Sequence, residues 1–129
     1  MPSSRTEHDE RWARGTAAYA SQFGIAEVEV FPRLAGTVGE RMATEAINAA
    51  GGAWADDGVL SLRERSLLVV SALVAQGGVD ARLRGHIQWA LDHGVSPEEL
   101  EAAFALLAVY VGYPKASVAM ELAREVFEG

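Results

Sequence analysis

The most regular pattern of apolar and polar positions lies in residues 61–114, which contain three helical patterns in succession. Ser61 begins the first of them with a capping box that Glu64 completes three residues later. The run that follows is apolar on nearly every side, which is typical of a helix surrounded by other helices. Gly77 and the glycine after it end this helix, so the pattern predicts a helix over 61–77.

The second and third helical patterns are bounded by specific signals as well. The second covers 79–93 and ends before Gly94, a residue type that accepts the left-handed conformation beyond a helix C-terminus. The third covers 97–111, and the sequence Ser-Pro-Glu-Glu at 96–99 precedes and opens it. These residues supply an N-cap, a proline at the first helical position and two acids at the positive end of the helix dipole.

The patterns before residue 61 are weaker. Trp12, Tyr19 and Phe23 recur at helical spacing and predict an amphipathic helix over 6–23. Residues 25–32 alternate weakly between apolar and polar positions. Because one short strand cannot form a sheet alone, we predict an extended connector there.

An all-α chain follows from these patterns. A stretch of small apolar residues at 34–50 indicates a further helix, and a glycine-rich loop over 51–58 follows it. The helices are predicted at 6–23, 34–50, 61–77, 79–93, 97–111 and 115–128. These are six helices, with no convincing strand between them.

Composition and charge narrow the possible functions. A chain of 129 residues is long enough for one domain with its own core, and we predict a single domain over 1–129. The net charge of −7, without a Lys/Arg cluster, argues against nucleic acid or an anionic membrane as partner. No cysteine is present, which excludes disulfides and thiol chemistry, and no signal segment is recognisable, so we expect a cytoplasmic location.

His86 is the strongest candidate for chemistry. At about 100° per residue, Leu83 and Ile87 belong to an apolar stripe, and His86 lies at the border of that stripe with Arg82 one turn before it. This is where a residue that lines a pocket is expected. A half-buried structural histidine, bonded to a backbone carbonyl or a carboxylate, explains the same position, and the residues alone leave both interpretations open.

The residue spacing disfavours a metal or a cofactor. His93 shares the helix sector of His86, but the two lie about 10 Å apart along the helix, whereas a shared metal needs bonds of roughly 2 Å. Asp56 and Asp57 lack further ligands nearby and are interpreted as solvated turn residues. The chain also has no nucleophile elbow and no glycine-rich nucleotide loop, so the prediction is a site with no metal and no cofactor.

Three segments together resemble the carboxymuconolactone decarboxylase family. They read LRERSLL from Leu62, GHIQWALDHGVSPEEL from Gly85 and YVGYPKA from Tyr110, and they place the core motifs in 60–128. The N-terminal half is similar more loosely, through Arg11, Gly15, Gly24, Gly51 and Trp54. The resemblance implies an all-α domain, like that of alkyl hydroperoxidase D, assembled into a ring-like homo-oligomer, a homohexamer or homotrimer.

The family contains thiol peroxidases and cofactor-free decarboxylases of aromatic catabolism. The residues that this chain has at the motif positions of each branch distinguish between the two. The peroxidase cysteines would fall on Val79 and Arg82, so thiol peroxidase activity is excluded. The decarboxylases keep the histidine and the serine at Ser66, but they carry arginines at 17–21 and just after Trp54, which this chain lacks. Because such arginines suit substrate carboxylates, their absence favours a less acidic or differently shaped substrate.

These observations predict a cofactor-independent decarboxylase-like enzyme acting on a small carboxylated lactone or oxo-acid. His86 is the predicted general acid–base, contributing roughly 10²–10⁴-fold in rate. The predicted substrate contacts are Arg82, Trp54, Trp89, Tyr110 and Lys115. The alternative is a non-catalytic oligomeric binding or scaffold protein of the same fold.

Overall fold

The computed structural model describes residues 4–55 and 57–129, so the prediction for Asp56 lies outside the described residues. The described residues form seven α-helices and no strand, which confirms the all-α prediction. The helices are α1 Ser4–Phe23, α2 Glu27–Val38, α3 Glu40–Ala53, α4 Leu62–Gln76, α5 Asp80–Asp92, α6 Pro97–Val111 and α7 Tyr113–Glu128. None of them is both long enough and apolar enough to cross a membrane.

Helix α2 corrects the prediction of an extended connector at 25–32 and raises the count from six helices to seven. Val30 and Leu34, four residues apart, are both buried and therefore mark one face of a helix. Val28, which alternates with Glu27 and Glu29 in the sequence as a strand residue would, is 83% exposed. Gly39, with φ of +86°, separates α2 from α3. It lies inside the single helix that the sequence predicted at 34–50.

The chain divides into two compact units, and the first, Met1–Asp57, contains α1, α2 and α3. Glycines let α1 and α3 touch backbone to backbone, since a Cβ on Gly15 would lie 1.8 Å from the carbonyl oxygen of Ile47. A Cβ on Gly51 would lie 1.9 Å from the carbonyl oxygen of Arg11. Arg14 on α1 donates from Nε to the carbonyl oxygen of Gly51 at 3.0 Å, near the C-terminus of α3.

The second unit, Gly58–Gly129, contains α4 to α7. The predicted capping box of α4 and the predicted N-cap of α6 are both present. Ser61 Oγ accepts from the N–H of Glu64 and Ser96 Oγ accepts from the N–H of Glu99, each at 3.0 Å. The buried core of this unit draws on all four helices and the turn before α6. It consists of Val70, Val74, Leu83, Ile87, Ala90, Val95, Leu100, Phe104, Ala119 and Ala123. Three of these residues, Leu83, Ile87 and Ala90, belong to α5, so the functional candidates of α5 are carried by a helix that is anchored in the core.

Candidate functional site

Helix α5 positions the candidate residues of the second unit. Leu83 and Ile87, 4% and 0% exposed, anchor its apolar stripe in the core, as the sequence predicted. His86 lies beside this stripe and is half-buried, while Trp89 is buried. The helix ends at Asp92, and Gly94 with φ of +92° turns the chain away from it. This termination leaves His93 as the C-cap residue, close to the body of the unit.

His86 has a pKa lowered from its ordinary value of 6.5, first because burial disfavours the charged imidazolium. The positive charge of Arg82 is the second cause. Nδ1 of His86 is buried. The neutral imidazole is therefore the favoured form at neutral pH, which suits a group that must gain and lose a proton during a reaction.

A second histidine is joined to a buried serine. Ser66 of α4 is 1% exposed, and its Oγ lies 2.6 Å from Nδ1 of His93. The pKa of His93 is also lowered, by burial, while the negative charge of Asp92 acts in the opposite direction. The sequence argument considered His93 only as a metal ligand and missed this pair, although Ser66 belongs to one of the family motifs and His93 shares the helix sector of His86.

The indole of Trp89 lies beside both imidazoles. Its ring centroid is 6.0 Å from that of His86 and 4.7 Å from that of His93. We call Ser66, His86, Trp89 and His93 the histidine cluster. The cluster combines two weakly basic imidazoles, one hydroxyl and one buried aromatic wall, and such a group can accept, hold and return protons.

The structure places the other predicted site residues in different surroundings. Arg82 is exposed on α5, one turn before His86, and acts on that residue through its charge. Tyr110 is 78% exposed on α6. Lys115 donates from Nζ to the carbonyl oxygen of Ala75 at 3.0 Å, in the last turn of α4, a position that suits a cation. Trp54 belongs to the first unit, where it is half-buried at the C-terminus of α3.

Two surface grooves of about 360 Å³ each lie in the second unit. One runs between α6 and α7, with Phe104, Tyr113 and Arg124 in its wall. The other lies between the α4–α5 turn and the start of α7, and Leu83 and Lys115 line it. His86 lines neither of them. Lys115 and Leu83 therefore share a groove next to α5, whereas the histidine cluster is built on a different part of that helix.

No group of three or more histidine, aspartate or glutamate side chains that could hold a metal ion occurs in residues 4–55 and 57–129.

Comparison with known proteins identifies a family and a curated relative. The model of the carboxymuconolactone decarboxylase family matches residues 42–125. A 4-carboxymuconolactone decarboxylase from Acinetobacter baylyi is 35% identical over 78 residues, which cover 60% of this chain and 57% of that relative. The chain therefore matches little more than half the length of this curated relative.

Proposed function

We propose that this protein, which belongs to the carboxymuconolactone decarboxylase family, is a cofactor-independent decarboxylase-like enzyme of the cytoplasm with His86 as its general acid–base. The single observation that supports the proposal best is the environment of His86, a half-buried imidazole whose pKa is lowered by burial and by Arg82. The identity to a 4-carboxymuconolactone decarboxylase supports the same reaction class.

The proposed reaction balances with one proton. The bond between the substrate carbon and its carboxylate breaks, CO₂ leaves, and the electron pair stays behind as an enolate. The protonated form of His86 then delivers its proton to carbon, and solvent replaces that proton. One proton is therefore consumed for each molecule of CO₂ released.

Arg82 couples substrate binding to this proton transfer. Burial lowers the pKa of His86 first, and the guanidinium of Arg82 lowers it further, because two positive charges repel each other. A substrate carboxylate beside Arg82 would neutralise that repulsion and favour the imidazolium, so His86 would take up its proton when the substrate is bound. Arg82 acts in this proposal as the anion partner.

The proposed substrate is a small carboxylated lactone or oxo-acid. Residues 17–21 read AAYAS, so this part of α1 offers no arginine for additional substrate carboxylates. A substrate with fewer carboxylates than a tricarboxylic-pathway lactone fits this composition. Trp89, Tyr110, Lys115 and Trp54 stay predictions as substrate contacts, and their replacement by smaller residues tests each one.

The test is release of CO₂ and uptake of protons across a panel of small carboxylated lactones and oxo-acids. On a substrate that is turned over, we expect His86→Gln to lower kcat by roughly 10²–10⁴-fold, because glutamine keeps hydrogen bonding and cannot titrate. Arg82→Gln is expected to raise KM. Arg84→Gln is its matched control, since Arg84 lies on the same helix and pairs with Glu125 at 2.6 Å. Native turnover by His86→Gln would refute the acid–base role.

A non-catalytic assembly protein is the second candidate, and exposed apolar side chains favour it. Val109 and Tyr110 are each 78% exposed on α6. Such exposure is typical of a surface that another protein covers. A protein that assembles but releases no CO₂ from any member of the panel would support this candidate over the enzyme.

A further inference from the structure

The groove between the α4–α5 turn and the start of α7, which we call the Lys115 groove, has a mostly apolar lining. Its volume of about 360 Å³ falls within the range of roughly 300–1,000 Å³ that small-molecule sites occupy. Val118, at 53% exposed, leaves part of the lining open to solvent. The groove therefore offers apolar surface to a ligand. The apolar side chains that line it include Leu73, Val74, Leu83, Pro114, Val118 and Ala119.

Lys115, the only lysine among the 129 residues, is held in place at this groove. Its Nζ donates to the carbonyl oxygen of Ala75 at 3.0 Å. Its stem passes Gly77, where an added Cβ would lie 3.4 Å from Cε and 3.7 Å from Cδ of Lys115. An ammonium group has three hydrogens, so the bond to Ala75 leaves two for another acceptor. Because the side chain is already positioned, a ligand that binds Nζ loses less free energy in ordering it.

One carboxylate, that of Asp80, also lines the Lys115 groove. Asp80 is the first residue of α5, where the positive end of the helix dipole stabilises a negative charge. Among the described residues, Lys115 and Asp80 are the charged side chains that line this groove. A ligand with one carboxylate is therefore balanced by Lys115, whereas a second carboxylate meets no further cation and is repelled by Asp80.

We propose that the Lys115 groove binds a monocarboxylate with an apolar body, such as a 3-arylpropionate. Nζ of Lys115 is the partner of the carboxylate, the apolar body covers Leu83 and Val118, and Asp80 discriminates against dicarboxylates. His86 does not line this groove, so the site is separate from the histidine cluster. The proposal is independent of the proposed decarboxylation.

The single lysine makes binding directly observable. In the full-length protein labelled with ¹³C at the lysine Cε, NMR gives one lysine signal, and we expect 3-phenylpropionate to shift it saturably. Acetate has the same charge and no apolar body. We expect it to bind at least about tenfold more weakly, because it buries far less apolar surface. A lysine signal that 3-phenylpropionate leaves unmoved, or an equal affinity for acetate, would overturn the proposal.

Charge variants test the role of Lys115, with affinities measured by ligand-observed NMR. Lys115→Met keeps the stem and removes the charge, and it should weaken 3-phenylpropionate binding about three- to fivefold, as expected for an ion pair that solvent reaches. The neutral 3-phenylpropanamide should bind both proteins equally. Arg84→Met is the matched control, since Arg84 pairs with Glu125 and lines neither groove. Equal losses in the two variants would reduce the effect to net charge and overturn the role of Lys115.

The role of Asp80 is tested with 2-benzylsuccinate, which is 3-phenylpropionate with a second carboxylate arm. We expect it to bind the wild type about fivefold more weakly than 3-phenylpropionate, and Asp80→Asn to remove most of this difference. An unchanged difference would overturn the role of Asp80.

A last variant separates the groove from the histidine cluster. His86→Gln should bind 3-phenylpropionate as the wild type does, and a loss of affinity there would place the ligand at the cluster and overturn the separate site. Turnover is not needed for any of these measurements. A protein that binds 3-phenylpropionate as described but releases no CO₂ would reject the proposed reaction alone, and a decarboxylase whose lysine signal stays unmoved would reject the groove site alone.

Discussion

Burial of His86 ties the stability of this protein to pH. Its pKa in the folded state lies below the ordinary value of 6.5, first because of burial and then because of Arg82. Between these two pKa values the unfolded chain binds more protons than the folded chain, so stability rises with pH in this interval. The contribution of His86 is therefore complete above about pH 6.5 and is lost as the pH falls towards the lowered pKa.

Denaturant unfolding between pH 7.5 and pH 5 measures this effect. We expect the free energy of unfolding to fall as the pH decreases, and His86→Gln to reduce that slope. The lower limit of pH 5 avoids the titration of Glu64, whose pKa is lowered from 4.5 chiefly by the backbone hydrogen bond from Ser61. Its stabilising contribution is lost only at more acidic pH. An identical slope in His86→Gln would contradict the burial of the neutral imidazole.

The sequence identified one half of the histidine cluster and missed the other half for a physical reason. His86 was recognisable because helical periodicity places it on the border of the stripe that contains Leu83 and Ile87. Ser66 and His93 are 27 residues apart and on different helices, and only the packing of α4 against α5 brings Oγ to Nδ1. Periodicity describes one helix at a time, so a contact of this kind is not visible in it.

At the scale of elements, the crossing of α1 and α3 depends on glycine. A Cβ on Gly15 would meet a carbonyl oxygen at 1.8 Å, and the neighbouring atom is rigid backbone rather than the end of a flexible side chain. The helices must therefore separate if any side chain is introduced. We expect Gly15→Ala to destabilise the protein by about 1–3 kcal/mol or more, as overpacking does.

Thermal unfolding checks this expectation against a matched control. Gly36 is also helical, and a Cβ there would have no atom within 4 Å. Because alanine has the higher helix propensity, Gly36→Ala should leave the protein unchanged or stabilise it by up to about 1 kcal/mol. Equal melting temperatures for Gly15→Ala and the wild type would mean that the two helix backbones are farther apart than the structure places them.

Helix α2 shows where local pattern and packing disagree. The short alternation around Val28 and Val30 resembles a strand, and Pro32 disfavours a helix interior. Burial decides the outcome, since Val30 is 0% exposed and Leu34, one turn later, is 7% exposed in the same core. By contrast, the starts of α4 and α6 were predictable because their capping boxes are local in sequence.

At the scale of the whole molecule, one apolar surface calls for an explanation. Leu106, Val109 and Tyr110 are 61%, 78% and 78% exposed on α6, and their spacing of three and four residues places them on one face. We call these three residues the α6 face. Exposed apolar residues that form one continuous face are typical of an interface between proteins.

We propose that the α6 face is covered by another copy of the chain in a homohexamer or homotrimer. Val109→Glu should then shift the mass in solution towards the 13.8 kDa monomer, because a charge in an apolar interface loses its hydration without gaining a partner. Val28→Glu is the control, since Val28 is 83% exposed on a different helix and should leave the mass unchanged. Light scattering over a wide concentration range measures both. A wild-type protein that stays at the monomer mass throughout would refute the assembly, and an oligomer unaffected by Val109→Glu would place its interface elsewhere.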